Sequence, residues 1–94
     1  MTSEAVDQVA TECTRRWGSP CVQSVDGEVR VAMWRVSDYA RGRVILSEHS
    51  DGSVYIDGAL PSEWGHGLGV QAYAGADIRE RVSWAAGTAM RSGR

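Results

Sequence analysis

Apolar residues recur along the first seventeen positions at steps of three and four. Val6, Val9, Ala10, Cys13 and Trp17 fall on one face, which predicts an amphipathic helix over Ser3–Trp17. Thr2 or Ser3 supplies an N-cap, Arg15 and Arg16 suit the negative end of the helix dipole, and Gly18 with Pro20 ends the helix.

From Cys21 the period falls to two. Cys21–Val25 and Glu28–Val36 flank Asp26-Gly27, and Arg43–His49 and Ser53–Asp57 flank Ser50-Asp51-Gly52. Each pair reads as a hairpin with glycine where the turn needs positive φ. The short Ser37–Gly42 connection joins the hairpins, so the four strands are expected as an antiparallel meander. Asp77, with Glu80 three residues on, then has the form of a capping box opening a helix to about Met90, on which Ile78, Val82, Ala85, Ala86 and Ala89 keep helical spacing. Ile78, Glu80, Val82 and Trp84 also alternate, so a strand over 78–84 is the rival reading. Small residues at 85, 86, 87 and 89 suit close approach to a sheet.

The expectation is one α+β domain over residues 1–94: an N-terminal helix, a four-stranded antiparallel meander and a C-terminal helix on one sheet face. Residues 1–2 and 92–94 are expected to fray. On the strands, Val29, Val31, Met33, Val44, Leu46, Val54 and Ile56 read as core. The alternate set is Arg30, Ala32, Trp34, Val36, Arg43, Ile45, Ser47, His49 and Tyr55. It is too apolar for a plain solvent face and too charged for a core, which suggests a covered or partner-binding face.

Composition sharpens this outline. The 94 residues include eleven Ala and eleven Val but three Ile, three Leu and no Phe, so the four Trp at 17, 34, 64 and 84 are expected to supply core bulk. Removing a buried one should cost about 3–5 kcal/mol. Cys13 and Cys21 lack metal-type spacing and are expected in the core. The start of the chain has neither a basic region nor an apolar run of the secretory kind, and no stretch reaches membrane-spanning length. A cytoplasmic protein is expected.

The formal charge of −2 conceals segregation: residues 1–29 carry −3, 30–46 carry +3, 47–77 carry −5 and 78–94 carry +3. The basic 30–46 block also holds Trp34 and Tyr39. Arginine with aromatic residues is the composition of protein-interface centres. The expected function is therefore non-enzymatic binding of another protein, of an accessory, inhibitor or immunity type, with self-association as a further option. The expected contact residues are Arg30, Trp34, Arg35, Tyr39, Arg41, Arg43, Tyr55, Trp64 and His66. A single-stranded nucleic-acid platform, with Trp34 and Tyr55 on one face beside the arginines, is the alternative. Its weakness is the acidic balance of the chain.

A third reading places a catalytic or small-molecule site in the glycine-rich stretch 58–69, where His66 lies near Glu63. No nucleophile stands at a telling spacing from it, so no catalytic residue is assigned. His49, Asp51, Glu63 and His66 would have to converge from separate segments to bind a metal, and no metal or cofactor is expected. The glycines at 65, 67 and 69 do not form a dinucleotide fingerprint. No stretch of the chain carries a recognisable family signature.

Overall fold

The computed structural model describes residues 4–20, 22–26, 29–60, 69–75 and 77–91, with 22–26 and 29 described as backbone. The chain runs α1 (Glu4–Trp17), β1 (Val22–Asp26), β2 (Val29–Arg35), β3 (Arg43–Glu48), β4 (Val54–Ala59), β5 (Val70–Gln71) and α2 (Ile78–Arg91). The strands lie in sequence order and every neighbouring pair is antiparallel. The sheet is thus the expected four-stranded meander, extended at one edge by the two-residue β5. Residues 78–91 are helical, which removes the strand alternative for 78–84.

Helix α1 begins with Glu4 and Asp7 in its first turn and ends with Arg15 and Arg16 in its last, each sign matching the adjacent end of the helix dipole. Gly18, at φ 86°, closes the helix by donating its N–H to the Thr14 carbonyl at 2.8 Å. The left-handed conformation there is open to glycine at little cost.

One core cluster lies between the sheet and both helices. Val9 and Cys13 of α1 and Val82, Ala85 and Ala89 of α2 meet Trp34, Val44, Leu46, Val54 and Ile56 from the strands. The register shows which strand residues share that face: Ala32 stands opposite Leu46 and Trp34 opposite Val44. Val31 and Met33 therefore face away from the helices. They form a second buried cluster there with Ile45 and Ala59. The expected face assignment was reversed for β2 alone. Both of its alternating sets are apolar, so polarity does not mark the inner one, and a shift of one residue exchanges the faces.

The four-Trp expectation also needs correction. Trp34 is fully buried and Trp17 packs partly against the core, but Trp84 is 43% exposed. Trp64 lies outside the described residues, as do Cys21, the Gly27-Glu28 tip and positions 61–68. Cys13 is a buried free thiol whose pKa is pushed up to about 12, mainly by loss of solvation. It stays protonated and serves as a small apolar side chain.

Helix α2 lies unusually close to β4 and to the 36–42 connection. A Cβ on Gly58 would fall 2.0 Å from the Ala85 carbonyl oxygen, and one on Gly42 would fall 2.2 Å from the Ala89 carbonyl oxygen. Both glycines are required by this approach of backbone to backbone. The pairing of Gly42 with Ala89 fixes the last turn of α2 over the 36–42 connection.

A polar network ties the helices together. Buried Glu12 accepts from Arg15 and Arg16, with contacts of 2.5 Å to each. Arg16 reaches on to Ser83 Oγ at 3.0 Å and to the Arg79 carbonyl at 3.1 Å. Hydrogen bonding to Arg15 leads in holding the Glu12 carboxyl below its ordinary pKa, against the opposing effect of burial. At the sheet edge, Arg81 donates to the Gln71 carbonyl and lies 5.8 Å from the Tyr73 ring centroid. This caps a backbone acceptor of β5, a common way of blunting an edge strand.

Candidate functional site

Four of the expected contact residues gather at one end of the sheet. Arg35 closes β2 and Arg43 opens β3, and the two are paired directly across the strands. Like charges in such register repel. Between them runs the 36–42 connection, with Tyr39 97% exposed and Arg41 exposed. Across residues 35–43 there are three arginines against one carboxylate, Asp38. Glu12 makes both ion pairs seen among the described residues, and none joins a described carboxylate to the three guanidinium groups at this end.

The three arginines differ in freedom. Arg43 is half-buried, and its Nη1 donates to the carbonyls of Arg41 at 2.7 Å and of Ala40 and Gly42 at 3.2 Å. It holds the connection in shape. That fixed geometry leaves Arg35, Arg41 and Tyr39 displayed around it. The Tyr39 N–H donates to Ser37 Oγ at 3.1 Å, which further orders the turn.

The remaining expected residues do not join them. Trp34 is a correction: it is sealed in the core beneath the helices, where its indole Nε1 has no hydrogen-bond partner among the described residues. Tyr55 lies on the face away from the helices, opposite in sense to Trp34, so these two rings do not share a stacking platform. It packs edge-on against His49, with ring centroids 5.3 Å apart and planes at 85°. Tyr55 pairs with Ser47, four residues along β3 from Arg43, or roughly 13 Å at strand rise. Arg30 is exposed at the opposite end of β2, paired in register with Glu48. Trp64, His66 and Glu63 lie outside the described residues.

Acidic groups collect elsewhere. A groove of about 730 Å³ between α1 and the start of α2 is lined by Glu4, Asp7, Glu12, Asp77 and Glu80, among others. Asp77 and Ala89 are separated by twelve helical steps, roughly 18 Å, so this groove and the arginine end occupy opposite ends of α2. Among the described residues no group of three or more His, Cys, Asp or Glu is placed to hold a metal ion. Asp51, one of the metal candidates, instead accepts from the Ser53 N–H and hydroxyl at 2.9 and 2.6 Å. Those bonds hold its pKa below the usual carboxylate value.

Sequence reasoning missed Trp84 as a surface residue. A signal was present: its position on α2 is off the stripe of Ile78, Val82, Ala85 and Ala89, which is the buried one. No helix among the described residues is long and apolar enough to cross a membrane. Comparison with protein-family models, with curated proteins and with solved structures finds no match. What the findings establish is a small globular α+β domain with a basic, aromatic surface.

Proposed function

We propose that this domain is a non-enzymatic binding module that takes an acidic stretch of a partner protein at the end formed by Arg35, Tyr39, Arg41 and Arg43. The observation that carries the reading is the register pairing of Arg35 with Arg43, without a neutralising carboxylate among the described residues, beside the nearly fully exposed Tyr39. Placing two like charges in register across neighbouring strands costs stability, and carboxylates from a partner would relieve it. The fixed 36–42 connection lowers the ordering cost of that encounter, because Arg43 already holds three carbonyls in place.

The test is fluorescence anisotropy with a labelled Glu-rich peptide at low salt. Arg35→Ala with Arg41→Ala should weaken binding on the order of tenfold without lowering the melting temperature. Arg30→Ala, at the far end of β2, should leave binding as it was. Absence of binding at low salt, or equal losses from both sets of variants, would overturn the reading.

Single-stranded nucleic acid is the competing ligand, since the same guanidinium groups bind phosphate. The separation of Trp34 from Tyr55 favours protein, because among the described residues it leaves Tyr39 as the exposed ring beside the arginines. Oligo(dT) run in parallel separates the two. Binding of oligo(dT) tighter than the peptide, with a steep salt slope flattened by Arg35→Ala and Arg41→Ala, would transfer the site to nucleic acid.

A further inference from the structure

Helix α2 carries a second stripe, off its buried one, on which Asp77, Glu80, Trp84 and Arg91 are exposed and Arg81, Gly87 and Thr88 half-buried, with Arg81 the residue bonded to β5. Asp77, Glu80, Arg81, Trp84, Gly87, Thr88 and Arg91 fall within about 60° of one another's midline on a helical wheel, and that midline passes through Trp84. The stripe is symmetric in position about this residue. Asp77 stands seven residues before it and Arg91 seven after, with opposite charges; Glu80 and Thr88 stand four to either side, and Arg81 and Gly87 three.

Two observations set this stripe apart from a plain solvated face. Trp84 is 43% exposed in a chain poor in large apolar residues. Gly87 sits in the interior of the helix, where glycine is unfavourable, yet among the described residues a Cβ there would meet only the Arg91 guanidinium, at an ordinary 3.6 Å. The fold does not ask for glycine at 87, in contrast to Gly42 and Gly58.

We propose that this stripe is a two-fold interface with a second copy of the chain, α2 packing antiparallel on α2 with Trp84 at the axis. In that register Asp77 of each copy faces Arg91 of the other, so the charges complement each other twice. Each indole lies toward the other copy's Gly87, where the missing side chain lets the helices approach. Isologous pairing of this kind requires a self-complementary patch, and a stripe with opposite charges equidistant from a central aromatic residue is one. The stripe shares no residue with the Arg35, Tyr39, Arg41 and Arg43 end, so either proposal can fail without the other.

The experiment is sedimentation equilibrium of the full chain at low salt across micromolar to millimolar concentration. Wild type should show a monomer–dimer equilibrium, and Trp84→Glu should weaken it on the order of thirtyfold or more. Arg91→Glu and Asp77→Arg should each fail to self-associate, while a mixture of the two variants forms a heterodimer, because each copy then supplies the charge the other lacks. Melting curves accompany every variant, since Asp77 precedes the first turn of α2. Trp84→Glu, on an exposed side chain, decides the matter if Asp77→Arg does not fold. A wild type that stays monomeric throughout, association unaffected by Trp84→Glu, or folded charge variants whose mixture stays monomeric would overturn the proposal.

Discussion

The inner and outer faces of α2 both carry small residues, but for different reasons. On the inner face, Ala85 and Ala89 lie against Gly58 and Gly42, and each glycine is enforced by a carbonyl oxygen standing where a Cβ would go. On the outer face, Gly87 has ordinary room for a side chain. The same residue type is a packing necessity at 42 and 58 and is unexplained by the contacts of the described residues at 87. A glycine is informative when the structure around it would tolerate something better for the helix.

That contrast can be broken most severely from the inner side. Trp34→Ala empties the largest fully buried side chain among the described residues and should cost about 3–5 kcal/mol by denaturant unfolding. Trp34→Phe should cost much less, because it keeps ring bulk and removes an indole N–H that has no partner among the described residues. A small loss for Trp34→Ala would mean that the indole is not a core element. Gly58→Ala comes next. The new methyl group has to displace backbone of α2, at about 1–3 kcal/mol or more. An unchanged melting temperature would show that α2 does not lie on β4 as described.

The polar network at the inner edge of α2 predicts a pH dependence. Glu12 has a lowered pKa in the fold, so its contribution is fully present above the unfolded carboxylate value of about 4.5 and is lost as pH falls through the lower folded value. Glu12→Gln should flatten the acid limb of the stability profile and cost about 1–2 kcal/mol at neutral pH, since two guanidinium groups lose a buried acceptor. An acid limb that is unchanged in Glu12→Gln would assign acid sensitivity to other carboxylates. At the opposite extreme of size, Arg35→Ala and Arg41→Ala should shift stability by less than about 0.5 kcal/mol, because neither side chain holds the fold. A large loss from either would make the arginine end structural.

Much of this architecture is readable in the sequence, for identifiable reasons. The three- and four-residue spacing of α1, the two Gly-containing hairpin tips, and the small residues of α2 each answer to local rules, and the strand order follows from short connections. Three features escape those rules. The face of β2 is set by its register against β3, and with Val31 and Met33 as apolar as Ala32 and Trp34 no pattern within β2 reveals it. The two-residue β5 is too short to carry a period. The exposure of Trp84 escapes a count of large apolar residues and shows only when its position is set against the stripe of Ile78, Val82, Ala85 and Ala89, whose alanines lie on Gly58 and Gly42 across more than twenty residues of chain.

The candidate site was legible in composition more than in geometry. Arg35, Tyr39, Arg41 and Arg43 were expected together because they are close in sequence, and the structure brings them together at one end of the sheet. Trp34 and Tyr55 were joined to them by an assumed common face that the register does not provide. The structural duty of Arg43 was invisible for the same reason, since its three carbonyl acceptors exist only once the 36–42 connection is folded.

Gly87→Ala tests the division between the two faces of α2 most directly, because its two consequences are expected to have opposite signs. By helix propensity alone the variant monomer should gain about 0.5–1 kcal/mol in thermal or denaturant unfolding. Its self-association in sedimentation equilibrium should nevertheless be weaker than that of wild type. A variant that is more stable and associates as well as or better than wild type would contradict the assignment of the outer face to a second copy.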